Sequence, residues 1–224
     1  MPNFRAMKIK KVLQMIINNG IIKTHLRMII NCEVICLGKS GFEQLMGLHA
    51  APMLTGIKPA SLLSFQKSRF ADFDKLLADY EPCFNCKGIE ICRVSEGEEY
   101  VLILFYRREK LAKLLADKAA REILIREGYG ENDTVTECLE FLRLRMKIKK
   151  SFPHEVGLFL GYPPEDVAGF IKNKGQGFFY SGYWKVYANP QKTRALFDKY
   201  ADCTHAFCTK LEQGAHLPEL VQAG

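Results

Sequence analysis

No run of this sequence stays apolar for long enough to cross a bilayer. The longest uncharged apolar stretch near the start, Val12 to Ile22, is about half of the ~20 residues that a spanning helix needs, and Lys23, His25 and Arg27 then interrupt it. A secretory signal is also lacking, because no clean apolar core leads to a small-residue cleavage site. There is no Gly-rich phosphate loop, and Gly175-Gln-Gly177 is too short to serve as one. Neither a Ser-His-Asp order nor a nucleophile elbow can be read. Internal repeats and low-complexity tracts are absent as well. No complete catalytic motif remains.

What is present suits a globular body. The chain has 224 residues, 48% of them apolar and 25% charged, enough for one domain with or without appendages. The formal charge of +7 suggests nucleic acid, but its placement argues against that reading. Arg5, Lys8, Lys10, Lys11, Lys23, Arg27 and Lys39 face only Glu33 within residues 1–40, so the rest of the chain is close to neutral. Eight cysteines, Cys32, Cys36, Cys83, Cys86, Cys92, Cys138, Cys203 and Cys208, form an even set. Without a secretory signal they are expected to be thiols, a metal site or redox groups in a reducing cytoplasm.

Residues 1–40 are rich in Ile, Lys and Asn and hold no steady period. They read as a basic N-terminal extension, poorly packed and outside the domain, with Met46 or an earlier Met as the natural start. An extra helix or hairpin is the other reading. Residues 41–212 read as a single domain, and 213–224 as a loose tail.

Within that domain Gly41–His49 looks like a short helix. Phe70, Phe73, Leu76, Leu77 and Tyr80 give a helix over residues 69–80, ended by Pro82. Residues 109–117, 118–127 and 134–150 read as helices, the third capped by Asp133 or Thr134. Pro163, Pro164, Glu165 and Asp166 start another, which Asn173-Lys174-Gly175 stops. Asn189 and Pro190 open the last. Strands are expected at Ala60–Phe65, in GIEICRV and EYVLILFYR as a hairpin, and in FFYSGYWKVYA with Gly182 as a bulge. Val101–Phe105 is apolar on both faces, which implies a central strand. The sum is an α+β fold, a small, mainly antiparallel sheet of about four strands packed with six or seven helices.

Four phrases, LTGIKPASLLSF (Leu54–Phe65), FYRREKL (Phe105–Leu111), FPHEVGLFLGYPPEDVAGFIKNKG (Phe152–Gly175) and SGYWKVY (Ser181–Tyr187), resemble a bacterial family catalogued as domain of unknown function 3793. The resemblance runs from Met46 to Cys208. It implies that these phrases form one domain whose signature includes Lys58, His154, Glu155 and Trp184, and it brings no activity.

Three functions follow from the residues. The first is a cytosolic, non-catalytic binding module for a small anionic or aromatic ligand or a partner protein, in a cleft lined by Lys58, His154, Glu155, Tyr162 and Trp184. The second is an enzyme with His154 as general acid or base, assisted by Glu155, although adjacent side chains diverge on either a strand or a helix. The third is a thiol or metal protein that joins the Cys83-Phe-Asn-Cys86 pair to Cys203 and Cys208. The aromatic run Phe178–Tyr187 reads either as a stacking surface or as core.

Overall fold

The structure, a computed structural model, describes residues 39–148 and 152–223. Its elements run α1 (Lys39–Leu54), β1 (Ala60–Gln66), α2 (Phe73–Cys86), β2 (Ile89–Glu96), β3 (Tyr100–Arg107), α3 (Arg108–Leu115), α4 (Lys118–Arg126), α5 (Val135–Ile148), α6 (Val156–Phe159), α7 (Pro164–Lys172), β4 (Tyr180–Ser181), β5 (Lys185–Val186), α8 (Pro190–Glu212) and α9 (Leu217–Leu220). By internal contacts the chain divides into two compact units. The sheet unit holds residues 39–113 and 198–223 of those described, and the ribbon unit holds 114–148 and 152–197.

In the sheet unit, β3 reads Tyr-Val-Leu-Ile-Leu-Phe-Tyr-Arg and has apolar residues on both faces. Such a run is stable only with strands on both sides and cover above and below. It is accordingly the central strand of an antiparallel sheet in the order β1-β3-β2. Residues 97–99 join β2 to β3, and the register slips by a bulge between Arg93 and Ser95. Phe42 and Met46 of α1 and Phe73, Leu77, Tyr80 and Phe84 of α2 pack with Phe65, Ile103 and Phe105 in one core. The rings of Phe65 and Phe73 are 5.0 Å apart, and those of Phe84 and Phe105 are 5.7 Å apart.

Two expectations are corrected here. Proline does not end α2, which runs through Pro82 to Cys86. The proline deprives the Ala78 carbonyl of its usual donor, but both residues are exposed, so water can replace the bond. Nor is the segment after Gly214 loose. Leu217 and Val221 are buried in the core, and the Gln222 amide donates to the Leu54 carbonyl at 3.0 Å.

The ribbon unit is built from α4 to α7 and the β4–β5 hairpin. Thr134 and Glu137 form a reciprocal cap at the start of α5: the Thr134 amide donates to the Glu137 carboxylate at 2.8 Å, and the Glu137 amide to the Thr134 hydroxyl at 3.3 Å. Pro164 occupies the first turn of α7, and Lys174 and Gly175 leave its end with φ of 51° and 76°. The expected single strand over Phe178–Ala188 is instead a tight hairpin, with Tyr180 opposite Val186. Gly182 is its turn residue rather than a bulge, its amide donating to the Trp184 carbonyl at 3.0 Å. A β-carbon there would lie 2.3 Å from the Phe197 ring. Gly182→Ala is therefore expected to destabilise the ribbon unit by about 1–3 kcal/mol, as overpacking does, measurable by urea unfolding followed through Trp184 fluorescence.

The fold is α+β. Its strands divide into a three-stranded sheet and a separate two-stranded ribbon. Nine helices occur among the described residues because α6 and α9 are single turns of four residues, too short to show a period. The basic segment 1–38 lies outside the described residues.

Candidate functional site

Phe152 and Pro153 bring the chain to a turn at His154–Glu155, which leads into α6. The turn sends the two side chains apart: His154 is exposed, whereas Glu155 is 0% exposed. Glu155 forms an ion pair with Arg145 of α5, and its Oε1 accepts the Tyr129 hydroxyl at 3.2 Å. Arg145 also pairs with Glu127 at 2.5 Å and donates to the Glu127 carbonyl. Its guanidinium lies 5.8 Å from the centre of the Tyr129 ring. Burial alone would lower the Arg145 pKa, but the bond and charge of Glu155 outweigh it and hold the pKa above the ordinary value. Burial first, and then the Glu155 charge, push the Tyr129 hydroxyl far up. Glu155 is thus committed to a buried ion pair that ties α5 to the start of α6.

His154 packs edge-on against Phe170 of α7, their ring centres 5.0 Å apart. Phe170 also meets Tyr187, and the Lys185 ammonium lies 5.7 Å from its ring.

Tyr162 and Trp184 do come together, but as core. Their rings stack at 4.6 Å with an interplanar angle of 24°, and Phe197 closes edge-on against the indole at 4.5 Å. Trp184 is 2% exposed. Its indole N–H donates to Asp166 Oδ2 at 2.7 Å, while Asp166 Oδ1 accepts the amides of Tyr187 at 2.7 Å and Ala188 at 2.8 Å. One carboxylate from the first turn of α7 therefore holds both the indole and the backbone just after β5. The stacking surface expected of the aromatic run is largely used internally.

Lys58 belongs to the sheet unit, whereas the other four candidates belong to the ribbon unit. Desolvation lowers its pKa from 10.5 to about 8. The unfolded chain then binds more protons than the folded chain between about pH 8 and pH 10.5. This group lifts stability with pH from about 8, opposed from about pH 9 by the thiols of Cys83, Cys138 and Cys208, whose pKa values burial raises, and further by buried tyrosines near pH 10. Burial raises the pKa values of Tyr80, Tyr106 and Tyr129, so their ionisation in the unfolded chain reverses the trend. Lys58→Met is expected to remove this lift in a pH series of urea midpoints.

The cysteines named for a thiol or metal site lie in the sheet unit. Cys83 and Cys86 lie at the end of α2, where the Cys86 thiol donates to the Cys83 carbonyl at 3.1 Å. Cys203 Sγ is 3.2 Å from the Thr55 hydroxyl. No group of three or more His, Cys, Asp or Glu side chains with metal-binding geometry occurs among the described residues, and Cys83, Cys86, Cys203 and Cys208 form none. None of the six described cysteines is in a disulfide. Burial pushes the Cys83 and Cys208 thiols up, the opposite of what a reactive thiolate needs.

The sheet unit carries a cleft of about 400 Å³. Thr55, Cys203, Phe207, Lys210, Glu219 and Leu220 line it. Phe207 is buried and supplies an apolar floor, the Thr55 hydroxyl lies between the Ala51 carbonyl at 2.8 Å and the Cys203 thiol, and Lys210 and Glu219 are exposed charges. The thiol of Cys203 and the exposed charges of the last helices were the sequence signals for this place. The long separation between Thr55 and Cys203 hid it.

A two-unit α+β protein whose signature polar residues are mostly bonded within the fold is the class so defined. The chain belongs to the family described as "Protein of unknown function (DUF3793)", whose model matches residues 46–221. That span includes the docked α9 segment as well as the phrases recognisable in sequence. No curated protein and no solved structure matches the chain. Among the described residues no helix is long and apolar enough to cross a membrane.

Proposed function

We propose that this chain is a non-catalytic binding module of the cytoplasm, and that it takes a small anionic or aromatic ligand in the cleft of the sheet unit. The observation that carries the reading is the contrast between the two units. In the ribbon unit, Glu155, Tyr162, Asp166 and Trp184 are buried and occupied by one another or by Arg145 and backbone amides. In the sheet unit, an open concavity combines an apolar floor with the exposed charges of Lys210 and Glu219, a composition that suits a small polar or charged ligand. A flat ligand would rest on Phe207 and direct its negative group toward Lys210.

A thermal-shift screen of the full chain against nucleotides, flavins and haem tests this. A true ligand at about a hundred times its Kd stabilises by about 2.7 kcal/mol and raises Tm by several degrees. Ala206 is exposed and lines the cleft, so Ala206→Trp is expected to fill the cleft and abolish the shift without unfolding the protein. The absence of any shift, or an equal shift in the variant, would remove the cleft from consideration.

A further inference from the structure

From Val167 to Phe197 the sequence contains no acidic residue, while Lys172, Lys174, Lys185, Lys192 and Arg194 all fall within that span. The fold gathers several of these around the hairpin. Lys172 and Lys174 lie at the exposed end of α7, and Lys185 reaches back to the Gly175 carbonyl at 2.8 Å. Arg194 lies over the Tyr180 ring at 5.1 Å. The nearest acid before the span, Asp166, is buried and spends both oxygens on internal donors. Nothing in this stretch of chain offsets the positive charge.

Two phenyl groups project amid these cations. Phe178 is 37% exposed and Phe179 is 69% exposed, the largest exposures of aromatic side chains among the described residues. They follow Gly175 and Gly177, which take φ of 76° and 68° and turn the chain outward from α7. The Lys185 ammonium lies 4.9 Å from the centre of the Phe178 ring. An exposed apolar pair costs solubility unless something covers it.

We propose that this face of the ribbon unit docks on an anionic membrane surface, with Phe178 and Phe179 entering the interfacial region and the surrounding lysines facing acidic headgroups. Charge complementarity selects that partner. The cytoplasmic leaflet carries a negative surface potential that attracts clustered Lys and Arg, and an apolar insertion adds to it the second signal that stable peripheral binding requires. The cations here are mostly lysines, which act as point charges rather than as planar forks for bases, and the projecting rings carry no polar group with which to read one. The face binds the surface and inserts no helix.

The test is co-sedimentation of the full chain with phosphatidylserine-rich vesicles and with pure phosphatidylcholine vesicles. Binding to the first and not to the second is expected, weakening as salt is raised. Phe178→Ser with Phe179→Ser is expected to lower the vesicle affinity by about tenfold or more, because burial of the two rings is lost. The basic residues before position 40 are unchanged in that variant, so undiminished binding would show that they carry the attraction and would overturn the proposal. Phe179→Trp supplies a second measurement in a chain that keeps its fold. Its emission is expected to shift to the blue when phosphatidylserine vesicles are added, since Trp184 is already buried. An unshifted spectrum would overturn the insertion. Binding to a single-stranded oligonucleotide without binding to vesicles would overturn it in favour of a base-stacking surface.

Discussion

Glu155→Ala is expected to destabilise the ribbon unit by about 1–3 kcal/mol, because it removes the buried hydrogen-bond partner of Arg145 and leaves the guanidinium only its pairing with the half-buried Glu127. Arg145 is 8% exposed and Glu155 is 0% exposed, so water cannot replace the lost partner without opening the junction between α5 and α6. Arg145→Ala is expected to cost more, about 3–5 kcal/mol, because it strands the fully buried Glu155 carboxylate beside the Tyr129 hydroxyl. Replacing both, as Glu155→Leu with Arg145→Met, is expected to cost much less than the sum, since neither charge is then buried alone. The double-mutant cycle separates a structural pair from a working one. The chain has a single tryptophan, Trp184, which lies buried in the same unit, so its fluorescence follows this unit's unfolding in urea. If Glu155→Ala leaves the urea midpoint within the range of an ordinary surface change, the ion pair does not hold the fold.

The part of this architecture legible in sequence is the part governed by local rules. The two-faced apolar run of Val101–Phe105 could only be a central strand, and the proline and acidic residues at Pro164–Asp166 could only open a helix. What local rules cannot assign is which partner a side chain meets. Asp166 reads as a residue favoured by the helix dipole, yet its oxygens hold Trp184, Tyr187 and Ala188. Arg145 carried a usable signal. It falls on the same helix face as Cys138 and Leu142, at positions where an apolar residue is expected, and a charge placed there needs a buried partner. Glu155 beside His154 looked like half of a catalytic pair because adjacency in sequence is visible and divergence in space is not. The end of α2 was misjudged for another reason. Whether a proline stops a helix depends on whether the orphaned carbonyl reaches water, a property of the folded surface. The docked residues after Gly214 meet one distant arginine through the Gln222 carbonyl, a contact that no pattern within the tail reveals.

That arginine, Arg107, supports the second large expectation. It ends the central strand β3 with its side chain 2% exposed and no carboxylate bonded to it among the described residues. Its guanidinium donates instead to four carbonyls: Met53 at 2.8 Å, Leu54 at 2.8 Å, Lys87 at 3.0 Å and Gln222 at 2.7 Å. Two of these are carbonyls of the last turn of α1, which also accept the amides of Gly56 and Gln222, one follows α2, and one lies in the C-terminal segment. A planar fork with five N–H groups can reach such a spread of acceptors, whereas an ammonium with three cannot. Hydrogen bonds from a charged donor contribute about 1.5–3 kcal/mol each, and they are not additive, so Arg107→Met is expected to cost at least about 3 kcal/mol. Arg107→Lys is expected to restore only a minor share, although it keeps the positive charge. The loss has a local signature as well. Amides of residues 217–222 are expected to exchange with solvent far faster in Arg107→Met, because both the carbonyl clamp on Gln222 and the carbonyl of Leu54 that receives its amide lose their fixed positions. Protection of these amides equal to that of the native chain would show that Leu217 and Val221, packed in the core, hold the segment without the arginine.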